Sequence, residues 1–262
     1  MTHLDDVFEL NSTRKERRQA RKKANRAERR ANGGSQRQGP KFGGLELKRI
    51  FPKTKNQERI FDCFEHEENI VATGYAGCGK SFLFLYLCLN EIMNNPDSTY
   101  KKLIIVRSAL ASRDIGFLPG TAGDKIAEYE APYKDMCAKL FGRSDAYDIL
   151  KKMKLIEFMS TSFIRGITLD DCLVIMEEAQ NMNFVELSGT ITRMGDNTRI
   201  HINGDHRQSD HKFRDEREGF VNFMKIVKVL PSFQSIEMEI DDIVRGRIVK
   251  AFLIEATRQG FM

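Results

Sequence analysis

Long apolar runs are missing from this 262-residue chain. The longest, residues 82–89, has eight residues against the ~20 that cross a bilayer, which excludes a transmembrane helix. The opening MTHLDDVFEL has neither a basic start nor an apolar stretch, so no secretory leader is expected. Cysteine is scarce and scattered: Cys63, Cys78, Cys88, Cys137 and Cys172 are odd in number and form no C-x-x-C pair. That argues against a disulfide framework or a zinc ribbon and for a reducing, cytoplasmic setting. No period of roughly 20–50 residues recurs, so a repeat architecture is not expected. With 41% hydrophobic and 30% charged residues, the composition is that of a globular protein rather than a disordered or fibrous one.

What is present is unevenly charged. Residues 1–10 carry three acids and no base, whereas residues 11–30 carry ten bases and two acids, a local charge of +8. The whole chain has a net charge of +5, so the body from residue 51 is close to neutral. Residues 11–31 have almost no large apolar side chains and cannot bury themselves, although Ser12 and Thr13 could cap a solvated helix. The Gly-, Gln- and Pro-rich stretch 32–44 reads as a linker. The expected organisation is therefore a basic, flexible tail over 1–44 and one folded domain over 45–262.

Beyond the linker, short β-branched runs alternate with longer amphipathic stretches. Strands are expected at 69–73, 103–107, 155–158, 172–176, 199–203 and 235–239. Helices are expected near 55–66, 80–93, 123–140, 145–153, 184–194, 217–230 and 243–258. This rhythm predicts an α/β fold with a mostly parallel sheet and helices on both faces.

Between the first strand and the apolar helix after it lie Gly74, Tyr75, Ala76, Gly77, Cys78, Gly79, Lys80 and Ser81, which fit G-x-x-x-x-G-K-[ST] in the context that motif requires. Glycines allow successive backbone N–H groups to wrap a polyphosphate, and the helix start adds unpaired N–H groups and a positive dipole end. Lys80 would neutralise the β- and γ-phosphates, and the Ser81 hydroxyl would ligate Mg²⁺. A second strand, 172–176, ends in Glu177 and Glu178. The first acid suits metal binding, and the second suits activation of the attacking water. A third strand, 199–203, ends in Gly204 and Asp205. A polar residue at that strand end could sense the γ-phosphate, with Gln208 preferred and Asp205 ordering the loop.

Taken with the segments GFLPGT (116–121), VIMEEAQN (174–181) and GDHRQSD (204–210), these motifs resemble the PhoH-like P-loop ATPase family over most of residues 50–250. The resemblance implies a RecA-like core related to superfamily-1 helicases, with ATP and Mg²⁺ as ligands and a link to RNA. It implies that Gln57 reads the adenine edge, where the residue-level alternative is an exposed polar side chain. It also implies that Arg245 is an arginine finger supplied by a neighbouring subunit in a hexameric ring, against a solvated helix charge as the plain alternative. The family shows Asp-Glu where this chain has Glu177-Glu178. The longer first acid implies retained Mg²⁺ binding and leaves slow turnover open.

Two further features bear on partners. The basic leader would attract phosphate backbones, or would only keep the chain soluble. The loop 113–125 carries Arg113, Phe117 and Lys125, and its phenyl ring would stack on a base or pack onto the core. His201, His206 and His211 lack the spacing of a metal site. The expected function is a Mg-ATP-dependent ATPase acting on single-stranded nucleic acid, RNA favoured. An ATP-gated nucleic-acid-binding or adaptor protein with little hydrolysis is the alternative, and a P-loop kinase is disfavoured by the paired acids. No membrane partner is expected.

Overall fold

The computed structural model describes residues 42–108, 122–205 and 214–260, with the side chains of 122–126 and 214–217 outside the description. The basic leader, Arg113, Phe117, Gln208, His206 and His211 lie outside the described residues, as does the side chain of Lys125.

Six strands form one parallel sheet in the order β3-β2-β4-β5-β1-β6: β1 Asn69–Gly74, β2 Lys102–Arg107, β3 Ile156–Ser160, β4 Cys172–Glu177, β5 Arg199–Asn203 and β6 Phe233–Met238. The helices are α1 Lys55–Glu65, α2 Lys80–Asn94, α3 Ala122–Phe141, α4 Ala146–Lys152, α5 Phe184–Ile191, α6 Arg214–Val229 and α7 Arg247–Arg258. Strand residues split by the period-two rule between two apolar layers. Ile70, Ala72, Leu103, Ile105, Leu173 and Ile175 face the layer that also takes Ile60 and Phe64 of α1 and Leu83 to Leu89 of α2. Val71, Ile104, Val106, Val174, Met176 and Ile202 face the layer built with Leu187 of α5 and Phe220, Phe223 and Val227 of α6. Both faces of the sheet are therefore covered, which is the expected α/β architecture.

Three differences from the sequence expectation have physical reasons. Phe42, inside the predicted linker, already packs on the core, and Leu45 N donates to its carbonyl at 2.8 Å. Strand β6 begins at Phe233 rather than 235, because pairing with β1 starts at Asn69↔Phe233. Helix α7 starts at Arg247 rather than 243. Residues 239–246 instead make a 3-10 turn (Ile240–Asp242) and then run along the loop after β1, where Val244 N donates to Gly77 O at 3.1 Å. Among the described residues no helix is long and apolar enough to cross a membrane, and all five cysteines are free.

Candidate nucleotide site

The topology brings the candidate residues together at the C-terminal ends of β1, β5 and β4. Strand β5 lies between the other two, pairing with β1 at Ala72↔Asn203 and with β4 at Met176↔Ile202. Polar residues at the ends of these three neighbours therefore open onto one crevice.

The loop 74–79 turns on glycine. Gly74, Gly77 and Gly79 have φ of 105°, 82° and 80°, the left-handed side that L side chains avoid. At Gly74 there is also no space, since a Cβ would overlap the Met238 carbonyl oxygen. Gly74→Ala is accordingly expected to destabilise the fold by ~3 kcal/mol, toward the upper end of ordinary single substitutions. Thermal denaturation checks this, and an unchanged midpoint would show that the turn relaxes freely.

Lys80 opens α2 with its side chain folded back into the loop, where Nζ donates to Gly74 O at 2.7 Å and Tyr75 O at 2.8 Å. Burial holds its pKa below the usual lysine value, opposed by the nearby Cys78, Asp205, Glu178 and Glu177. The next residue, Ser81, donates from Oγ to Glu177 Oε2 at 2.9 Å. Asn203 at the end of β5 closes a triangle, its Nδ2 donating to Ser81 Oγ at 2.6 Å and to Glu177 Oε2 at 2.7 Å.

Glu177 is 2% exposed, and burial first, then the charge of Glu178, raises its pKa to about 7 against the opposing pull of Ser81, Asn203 and Arg107. Its Oε1 is buried without a hydrogen-bond partner. A buried carboxylate with one unpartnered oxygen, whose other oxygen meets a serine hydroxyl, offers hard oxygen ligands of the kind magnesium takes, with water and phosphate to complete an octahedral shell. The residues fit the metal, and the extra methylene of Glu177 does not carry its carboxylate away from Ser81. Among the described residues no cluster of three His, Cys, Asp or Glu side chains forms a separate metal site. His201 lies stacked on Phe84 in the core, fully buried.

Glu178 sits at the crevice edge with φ 51°, a strained value for a non-glycine residue that clusters at functional sites. Gln180 fixes its carboxylate, donating from Nε2 to Glu178 Oε2 at 2.6 Å, while Gln180 Oε1 accepts from Asp205 N at 2.9 Å. This joins the second acid to the loop that follows β5.

Arg245 lies on the same chain's loop: a Cβ at Gly77 would come 2.7 Å from its Cγ. Gln57 sits behind the loop, with Nε2 donating to Cys78 O at 2.9 Å. Of the sequence-predicted site residues, the fold brings Lys80, Ser81, Glu177 and Glu178 to one crevice, with Arg245 and Gln57 against its loop. Asn203 and Gln180 carry no role that the sequence alone suggests. The available signal for Asn203 is a polar residue ending the run Arg199-Ile-His-Ile.

Asn203→Ala removes two donors from the corner formed by Ser81 and Glu177, one of them to a buried carboxylate. A hydrogen bond to a charged group contributes ~1.5–3 kcal/mol, so Mg²⁺-dependent ADP affinity is expected to fall ~10-fold or more. ADP affinity in EDTA should hold. Calorimetry with and without the metal checks this, and an equal loss in both would assign Asn203 to folding alone.

A glycine-lined loop between a buried strand and a helix, opposite an acid-tipped strand of the same parallel sheet, defines a P-loop nucleotide-binding protein. Residues 49–256 match the PhoH-like protein family, and the chain belongs to it. It is 30% identical over 210 residues to a PhoH-like protein of Bacillus subtilis (strain 168), covering 80% of this chain and 64% of that protein. To Protein PhoH of Escherichia coli (strain K12) it is 30% identical over 163 residues, covering 62% of this chain and 45% of that protein. The chain thus spans roughly half to two thirds of the length of these relatives. Among solved structures, the large terminase of the thermophilic bacteriophage D6E matches with a TM-score of 0.46 and 12% identity, covering 78% of this chain and 50% of that one. At these values the likeness is partial and says nothing of activity.

Proposed function

We propose that the chain is a Mg-ATP-dependent ATPase that couples hydrolysis to binding, remodelling or unwinding of single-stranded nucleic acid, RNA favoured. The observation that supports it most is the convergence of Lys80, Ser81, Glu177 and Glu178 at one crevice. In this mechanism Lys80 leaves the Gly74 and Tyr75 carbonyls and moves its charge to the β- and γ-phosphates. The amides of residues 74–81 cradle the same oxygens. Ser81 and Glu177 would hold magnesium, which when bound would supply further neutralisation of the phosphate charge. Glu178 orients the attacking water and takes its proton. Arg245, which lies against Gly77 of its own chain, adds a cation toward the γ-phosphate in cis, in place of the arginine from a neighbouring subunit that the resemblance implied. Gln208 senses whether that group is present. Phosphate release with and without single-stranded RNA tests the proposal. Stimulation of several-fold supports coupling, and a kcat indifferent to RNA removes it.

One observation favours a second reading, the ATP-gated binding or adaptor protein. The carboxylate of Glu177, where the resemblance implies an aspartate, accepts directly from Ser81 Oγ at 2.9 Å. Tight ATP binding without hydrolysis at high enzyme concentration would select it.

Nucleic acid is proposed to meet the basic leader and the segment 113–125. Deleting residues 1–40 is expected to weaken RNA binding and to lower the log–log salt slope by ~0.7 for each phosphate that the leader neutralises. Basal hydrolysis should be unchanged. Binding isotherms at several salt concentrations check this, and an unaltered slope removes the leader's role. Assembly into a hexameric ring is proposed from the family resemblance. Ile248 and Phe252 on α7 are 86% and 68% exposed, apolar surface that association of copies would take from water. Light scattering with and without a non-hydrolysable ATP analogue reads the subunit number.

A further inference from the structure

A site that recognises a nucleobase by its edge needs a polar side chain free to meet that edge. Gln57 is the residue the family resemblance would place there, yet both ends of its amide are engaged within the chain. Oε1 accepts from Lys53 N at 2.8 Å, Nε2 donates to Cys78 O at 2.9 Å, and the residue is 2% exposed. Its neighbours in the first turn of α1 are committed as well. Thr54 Oγ1 accepts from Gln57 N at 3.3 Å, and the same threonine bonds Asp242. Asn56 Nδ2 donates to Asp242 Oδ2 at 2.7 Å and to Glu237 O at 3.1 Å. The turn is tied on one side to the P-loop and on the other to the segment after β6. Swinging the Gln57 amide outward would leave the Cys78 carbonyl and the Lys53 N–H without partners, in a place where the former is buried.

We infer that Gln57 is a strut that holds the P-loop in shape, and that the site accepts nucleoside triphosphates with little regard to their base. This rests on the proposal that the crevice is a nucleotide site. Among the described residues, the groups placed for binding there suit phosphate and metal: the loop amides, Lys80, Ser81 and Glu177. Those are the parts of the ligand that ATP, GTP, CTP and UTP share. The substrate class is therefore set by the polyphosphate.

Titrating the full chain with ADP, GDP, CDP and UDP in the presence of Mg²⁺, by calorimetry, tests the inference. A site that hydrogen-bonds the distinguishing edge of its ligand separates analogues by on the order of 10⁴-fold. Here the four dissociation constants are expected to fall within ~10-fold of one another, about the effect of a single weak hydrogen bond. ADP favoured beyond that span overturns the inference while leaving the nucleotide site standing, and loss of the preference in Gln57→Leu would return base reading to Gln57. Binding of none of the four would overturn the nucleotide site itself, and this inference with it. In the strut role, Gln57→Leu lowers the melting temperature and weakens all four diphosphates in the same proportion. A variant that weakens ADP alone contradicts it.

Discussion

Lys80→Ala is expected to lower ATP turnover by at least ~10³-fold, as loss of a preorganised cation facing developing phosphate charge does in other sites. The side chain is 7% exposed, and burial already disfavours its charged form. What keeps an ammonium there is the pair of carbonyls, Gly74 O and Tyr75 O, that accept from it. Those bonds aim Nζ into the mouth of the loop, so the charge is held beside the proposed phosphate position. Exchanging two neutral acceptors for phosphate oxygens is favourable because the new partners are anionic. Alanine removes the charge and leaves two carbonyls to water. The fold should survive, since a large apolar helix, α2, continues to pack behind the site. Lys80→Arg should not rescue, because a planar guanidinium cannot occupy the compact corner between those carbonyls. Phosphate release and ADP calorimetry on both variants, with melting temperature as the control, give the outcome. Unchanged turnover in Lys80→Ala would remove the P-loop assignment.

The parts legible in the sequence were those in which chemistry and local pattern coincide. Parallel strands buried on both faces read as short continuous apolar runs, so β2 and β4 stood out. The P-loop stood out because fixed spacing, glycine and lysine are all demanded by one ligand. Other parts depend on tertiary register. That Asn203, at the end of β5, faces Ser81 and Glu177 follows from β5 lying between β1 and β4, which no local pattern records. Gln57 looked like surface or ligand contact because it is polar. Its spacing to the buried Ile60 and Phe64, three and seven residues on, was the signal that it shares their inward face. Ile243 and Val244 resembled the first turn of a helix. The bond from Val244 N to Gly77 O held them extended along the P-loop instead, so tertiary packing overrode local propensity.

Glu178→Gln is expected to trap bound ATP, with hydrolysis reduced ~10²–10⁴-fold, the usual contribution of a positioned general base. The substitution is close to isosteric, and the amide oxygen of the new side chain can still accept from Gln180 Nε2, the bond that now holds Glu178 Oε2 at 2.6 Å. Geometry is therefore kept and only the ability to take a proton is lost. The strained backbone at residue 178 remains as it is, since φ 51° is set by the turn between β4 and the 3-10 segment Ala179–Asn181. Affinity should not suffer. After burial, the charge of Glu178 is the second cause that raises the pKa of Glu177, so neutralising residue 178 favours, at neutral pH, the ionised form of the acid proposed to bind the metal. ATP and Mg²⁺ are then expected to be held at least as tightly as in the native chain while turnover stops. The two effects separate in one experiment, in which nucleotide extracted from the variant after incubation with Mg·ATP is quantified as ATP or ADP. Recovery of ATP at one equivalent per site supports Glu178 as the base. Recovery of ADP at the native rate would move that role to another residue, Gln208 being the first to test. Weak binding with slow hydrolysis would mean that Glu178 shapes the site and does not act on the water.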